Sequence, residues 1–136
     1  MRRLLIGCLL ALTLLVGVGC GPSKAWKEYY NLWESHAEEW DDANAIANSA
    51  SRISLAGPVG ELQNLRREWK SIEAPEGLEK FHSLVLDYEE EVIKGYLAFM
   101  TKEPDDVVDA HFAKARNYLK VVPLAFPEGF FKVVGE

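Results

Sequence analysis

The sequence predicts an all-α protein, an antiparallel up-down four-helix bundle with an irregular C-terminal tail. Three observations predict this fold class. Apolar residues recur at intervals of three and four along four separate segments, which is the spacing of an amphipathic helix. The sustained alternation of apolar and polar residues that predicts a strand is absent from the sequence. The predicted connections are short, so consecutive helices should lie antiparallel to one another.

The first helix is predicted at about residues 24–51. Within it Trp26, Trp33 and Trp40 recur every seven residues, and Ala47 continues the series. A second series lies three residues later in each heptad and consists of Tyr29, His36, Ala43 and Ala50. The two series form an a/d heptad seam, so these side chains should face the other helices.

The other three helices are predicted at about residues 58–73, 76–101 and 105–122. A proline stands close to the start of each, where the lack of a backbone N–H costs little; these are Pro58, Pro75 and Pro104. An acidic residue follows each proline within one turn, where it complements the positive end of the helix dipole.

The lengths of the helices predict which parts of the bundle lie side by side. Counting residues from the predicted turns places Trp40, Trp69 and Phe81 at nearly the same level. The second helix is shorter than the first, so the N-terminal part of the first helix should project beyond it. The tail after Pro123 is rich in apolar residues. We therefore expect the tail to fold back over the projecting part of the first helix.

The N-terminal segment has the three parts of a secretory signal: a basic start at Arg2 and Arg3, an apolar stretch, and a small-residue cleavage site. Cys20 follows this site directly, and Val18-Gly19-Cys20 resembles the cleavage motif of bacterial lipoproteins. The resemblance implies that residues 1–19 are removed and that Cys20 is lipidated. It also implies a position outside the cytoplasm, anchored to the cell membrane or the outer membrane.

Two alternatives stay open because Gly17 stands where this family usually has leucine. An ordinary signal peptidase site would release a secreted protein. Alternatively, the segment stays uncut as a membrane anchor, since residues 4–23 form a stretch of 20 residues without charge. All three hypotheses place residues 21–136 outside the cytoplasm, because the basic residues stay on the cytoplasmic side.

The lipoprotein hypothesis divides the chain into a signal peptide at residues 1–19, a short tether at 20–23 and a helical-bundle domain at 24–136. Removal of the signal changes the net charge from −6 to −8. Such an acidic surface argues against nucleic acid as a partner and against direct binding to anionic lipid headgroups, so the membrane should be reached through the N-terminal lipid. With Cys8 removed and Cys20 lipidated, the mature chain cannot form an internal disulfide.

Inward-facing aromatic and histidine side chains are the candidates for a ligand-binding site; they are Trp33, His36, Trp40, Trp69 and His82. Bundles bind metals and haem through inward histidines and Glu-x-x-His pairs, and Glu79 with His82 is one such pair. A di-metal site needs a second pair, but Val108 stands where its glutamate should be. We therefore predict no metal or cofactor, and interpret most of these residues as packing residues.

Two acidic clusters lie at residues 38–42 and 87–91. They lack the ligand spacing of an EF-hand loop, so we interpret them as solvated helix faces. The sequence contains no Gly-x-Ser-x-Gly, no phosphate-binding loop and no His-Glu-x-x-His. We therefore predict no catalytic residues and a protein that is not an enzyme.

A second resemblance concerns the mature chain. Ile72-Glu-Ala-Pro-Glu, followed by Phe81-His82 and an aromatic-rich helix, is similar to a pattern in small uncharacterised bacterial helical-bundle lipoproteins. This resemblance implies the bundle fold and no activity. We predict a lipid-anchored cell-envelope protein that acts as a binding or structural module, with another envelope protein as a candidate partner. The alternative is a bundle that binds a small apolar ligand, haem or a metal ion in its interior.

Overall fold

The computed structural model describes residues 22–135, which contain five α-helices, one 3₁₀ turn and no strand. In chain order these are α1 (Pro22–Ser49), α2 (Ala56–Lys70), α3 (Glu79–Met100), α4 (Asp105–Val121), the 3₁₀ turn η1 (Val122–Ala125) and α5 (Phe130–Val134). The all-α bundle is therefore confirmed. The predicted signal peptide and Cys20 lie outside the described residues. Since α1 begins at Pro22, two residues of the predicted tether are helical.

Helix α3 is central to the bundle, because it packs against both α2 and α4 along the chain order. Helix α2 also packs against α1. Between α1 and α4 lies a cleft of about 350 Å³ whose floor is formed by α3. The close packing of α3 on α4 depends on Gly95, because a Cβ atom there would lie 2.8 Å from the ring of Phe112.

The predicted heptad seam of α1 faces the core. Its buried members are Tyr29, His36, Trp40, Ala43 and Ala47. The core has two apolar clusters. One contains Trp40 with residues of the second half of α3, and the other contains Tyr29, Trp69 and Phe81. His36 contacts both, since its ring lies 6.3 Å from that of Trp40 and 4.8 Å from that of Trp69.

Two predictions about the helices were wrong in detail. Pro75 does not start α3, because a turn comes first in which Gly77 has a φ of 90° and Leu78 N–H bonds the Pro75 carbonyl. Trp69 lies beside His36 rather than Trp40, and Phe81 lies beside Trp33 at 5.1 Å. The connection between α1 and α2 spans residues 50–55 and is centred earlier than the predicted one, which shifts the level of α2 along α1 by about one helical turn.

The predicted folding back of the tail is confirmed. Phe130 packs on Trp26 and Tyr30 of α1, with ring centroids 5.6 and 5.8 Å away. Phe126 packs on Phe81 of α3 at 4.4 Å. The tail thus closes the end of the bundle at which α1 begins. No helix in the described part of the chain is both long and apolar enough to span a membrane.

Candidate functional site

Five inward side chains from three helices form a buried group that we call the polar cluster: Tyr29, His36, Trp69, His82 and Glu89. Helices α1 and α3 run parallel across the bundle and supply two hydrogen-bonded pairs, Tyr29–His82 and His36–Glu89. The residues of each pair are 53 positions apart in the chain. On each helix the two members are seven residues apart, so both lie on the same inward face.

The first pair joins the Tyr29 hydroxyl to Nδ1 of His82 over 2.7 Å. Burial and the nearby charge of Glu89 raise the pKa of Tyr29, so the phenol keeps its proton. Burial, together with the neighbouring His36, lowers the pKa of His82. A neutral imidazole can accept at Nδ1, so Tyr29 donates this hydrogen bond.

The second pair joins Nε2 of His36 to Oε1 of Glu89. The two side chains are only 8% and 1% exposed. Burial raises the pKa of Glu89, although the hydrogen bond and charge of His36 and the charge of Arg66 act in the opposite direction. The other carboxylate oxygen, Oε2, is buried without a hydrogen-bond partner among the described residues. The pair therefore holds an ionisable carboxyl group in the core with a single direct partner.

Trp69 lies against both histidines and joins the two pairs into one cluster. Its ring stacks on His36 with centroids 4.8 Å apart and planes inclined by 15°. The His82 ring lies 4.9 Å from it at a larger angle. Its Nε1 is buried and, among the described residues, has no hydrogen-bond partner. Glu89 Oε2 and Trp69 Nε1 are thus two buried polar atoms in one cluster that no group within residues 22–135 satisfies.

The structure brings four of the five predicted ligand-binding residues together. His36, Trp69 and His82 belong to the polar cluster, and the half-buried Trp33 lies 5.6 Å from the Trp69 ring. Trp40 is buried one turn away, beside Tyr88. None of the five lines the cleft between α1 and α4. Their rings instead pack against one another and against neighbouring aromatic side chains.

Sequence reasoning missed Tyr29 and Glu89 as members of this site. The sequence does carry a signal for each of them, since Tyr29 lies seven positions before His36 and Glu89 seven positions after His82. This spacing places each residue on the same helix face as its histidine. The interpretation of the second acidic cluster as a solvated face was wrong for Glu89 and Glu91, which are 1% and 4% exposed. Both point inward from α3 toward cationic or imidazole partners.

Glu91 forms a second polar contact, between α3 and α4. Its Oε2 lies 2.8 Å from Nδ1 of the half-buried His111, and its Oε1 accepts from Lys114 over 2.9 Å. Burial alone would raise the pKa of Glu91, but the hydrogen bonds from His111 and Lys114 and the lysine charges outweigh it and lower the pKa to about 2. Glu91 therefore stays ionised and ties the two helices together.

The chemistry open to these groups is limited by their burial. Within residues 22–135, no three His, Cys, Asp or Glu side chains are grouped so as to hold a metal ion. Glu89 is only 1% exposed and His82 9% exposed, so we interpret the polar cluster as a set of contacts that fix the position of α1 relative to α3. Comparison of the chain with protein-family models, curated proteins and solved structures finds no match.

Proposed function

We propose that this chain is a lipid-anchored protein of the cell envelope whose helical bundle serves as a binding or structural module outside the cytoplasm. The observation that carries the proposal is the signal-like segment ending in Val18-Gly19-Cys20. Helix α1 begins at Pro22, only two residues after Cys20. A lipid on Cys20 would therefore hold the folded bundle directly at the bilayer.

Two features of the bundle support a role in binding or structure rather than catalysis. The histidines and tryptophans that sequence reasoning selected as ligand-binding candidates pack against one another in the core. The two buried carboxyl groups of α3, those of Glu89 and Glu91, are engaged by partners on other helices. Because these core side chains contact one another, we expect other molecules to be bound at the surface of the bundle.

Mass spectrometry of the mature N-terminus tests the lipid anchor. We expect a chain that begins at Cys20 and carries a diacylglycerol-sized mass, recovered from the membrane fraction of a bacterial host. Cys20→Ser should abolish the lipid mass. Cys8→Ser is the matched control, since Cys8 lies inside the predicted signal, and it should leave the mass unchanged. An unmodified mature N-terminus, or a chain that keeps residues 1–19, would contradict the proposal.

A second candidate function is the binding of a small ligand, and the cleft between α1 and α4 favours it. Tyr88, Tyr96 and Phe112 give this cleft aromatic walls, and Asn44 and Asn48 give it amide groups. Clefts of several hundred Å³ with such mixed walls suit a small ligand that has apolar and polar parts. The ligand would lie at the side of the bundle and not among the residues of the polar cluster.

The haem and metal forms of this second candidate have a direct test. The visible spectrum and metal content of the purified protein are compared with those of His82→Ala. A haem band or a stoichiometric metal that His82→Ala removes would support an interior site. A colourless and metal-free protein would exclude both forms and leave only an organic ligand for the cleft.

A further inference from the structure

The tail exposes two large apolar side chains at one end of the bundle. Leu124 of η1 is 80% exposed and Phe131 of α5 is 58% exposed. The Phe131 ring rests on Phe126 at 4.8 Å and on Phe130 at 5.3 Å, and Phe130 is itself buried. The exposed Phe131 ring therefore sits on packed aromatic side chains, which hold it in place at the surface. We call Leu124 and Phe131 the apolar tip.

The apolar tip lies at the end of the bundle where α1 begins. Phe130 packs on Trp26, one helical turn after Pro22. Two residues of extended chain span at most about 7 Å, and four helical residues add about 6 Å. A lipid on Cys20 would therefore lie within roughly 13 Å of the level of Trp26 along the helix axis.

Charge is distributed unequally between the two ends of the bundle. Contacts of His36 with Glu89 and Trp69, and of Glu91 with Lys114, mark its middle level. On the side of the apolar tip, residues 22–35, 70–88 and 118–135 contain six basic and seven acidic residues. On the other side, residues 36–69 and 89–117 contain seven basic and thirteen acidic residues. The end with the apolar tip is almost neutral, so it can approach an anionic bilayer that would repel the opposite end.

We infer that the end of the bundle bearing the apolar tip is a membrane-docking surface, with Leu124 and Phe131 inserted into the interfacial region of a phospholipid bilayer. This inference rests on the proposed lipidation of Cys20. Apolar side chains at the interface add to the affinity of a lipid anchor, and the exposed Lys132 beside Phe131 can contact lipid phosphates. Docking of this end would orient the bundle upright and direct its acidic half away from the membrane.

Site-specific fluorescence on the full, processed protein tests this orientation. Single variants Leu124→Cys, Phe131→Cys and Ile53→Cys are labelled with an environment-sensitive thiol dye after mass spectrometry has shown that Cys20 carries lipid. Ile53 is the matched control, because it is apolar, 96% exposed and lies in the connection between α1 and α2 at the opposite end. Iodide quenching is then measured in vesicles of phosphatidylcholine and phosphatidylglycerol and in detergent micelles.

We expect the quenching constants at positions 124 and 131 in vesicles to be several-fold lower than at position 53. Equal quenching at all three positions, with lipid present on Cys20, would overturn the docking surface but would not contradict the lipid anchor. The dyes at positions 124 and 131 could instead be protected from iodide in dilute detergent, to a degree that rises with protein concentration. That result would mean that the apolar tip binds a second copy of the chain, and it would also overturn the membrane-docking surface. Absence of lipid on Cys20 would show, before any labelling, that the anchor itself is wrong and the inference with it.

Discussion

At the residue scale, burial and the contact with His36 act in opposite directions on the carboxyl group of Glu89. Glu89 is 1% exposed, and burial raises the pKa of its carboxyl group. Removing one member of a buried pair leaves the other without compensation, whereas replacing both by apolar residues is often neutral or stabilising. The stability of variants at these two positions should therefore be strongly non-additive.

His36→Ala should lower the free energy of unfolding at pH 7 by about 3–5 kcal/mol, because it leaves the Glu89 carboxyl group buried and unpaired. The double variant His36→Ala with Glu89→Leu should recover much of this loss. Urea unfolding of both variants and the wild type measures the difference. Equal losses in the single and double variants would contradict this account of the pair.

The pH dependence of the single variant follows from the raised pKa of Glu89. A carboxyl group with a raised pKa in the folded state stabilises the fold most when it is protonated, and this contribution is lost as the pH rises through the folded-state pKa. The loss caused by His36→Ala should therefore shrink as the pH falls from 7 toward the ordinary carboxyl value of 4.5. The double variant lacks Glu89 and serves as the control for all other titrating groups.

At the scale of the elements, Glu91 links α3 to α4 through His111 and Lys114. Glu91→Gln should destabilise the protein at pH 7 by about 2 kcal/mol, the size of a hydrogen bond to a charged group. Because the pKa of Glu91 is lowered to about 2, its contribution is complete above 4.5 and is lost as the pH falls toward 2. Wild type and variant should converge in that range in thermal melts, whereas an offset that is constant with pH would argue against the ionised contact.

Gly95 and Gly60 provide a matched pair for the packing between helices. Gly95→Ala should destabilise the protein by about 1–2 kcal/mol, because crowding of Phe112 outweighs the higher helix propensity of alanine. At Gly60 in α2 a Cβ atom meets nothing within 4 Å, so Gly60→Ala should stabilise by up to about 1 kcal/mol. Chemical unfolding checks both signs. Stabilisation by Gly95→Ala would mean that Phe112 moves aside at little cost.

The helices themselves followed from local sequence patterns, whereas the turn before α3 did not. The seam of Trp26, Trp33 and Trp40 requires only the periodicity of one helix. The position of α3 depends on Gly77, where Trp26 and Pro127 lie within 4 Å of the site of a Cβ atom. A turn shaped by contacts with α1 and the tail is set by the tertiary structure, so the nearby Pro75 was a misleading signal.

At the scale of the whole molecule, the tail completes the core and also forms its exposed apolar tip. Truncation after Val122 removes Phe126 and Phe130 and uncovers Trp26, Tyr30 and Phe81. The truncation should lower the melting temperature and increase the binding of a hydrophobic dye. Unchanged melting of the truncated chain would show that the tail does not stabilise the bundle.

Single substitutions in the tail separate its buried from its exposed aromatic residues. Phe130→Ala should lower the free energy of unfolding by about 3–5 kcal/mol, whereas Phe131→Ala should lower it much less, because Phe131 is exposed.

The helical class, the inward faces of the helices and the apolar character of the tail could be predicted from the sequence, because they depend on patterns within single segments. The meeting of Tyr29, His36, His82 and Glu89 around Trp69 could not, because it results from the way the helices pack. Their meeting depends on the offset between α1 and α3, which two connections and the length of α2 set together. A shift of two residues in either connection rotates different side chains into the core. For that reason Glu89, although glutamate usually lies at the protein surface, is the most buried ionisable side chain in the described part of the chain.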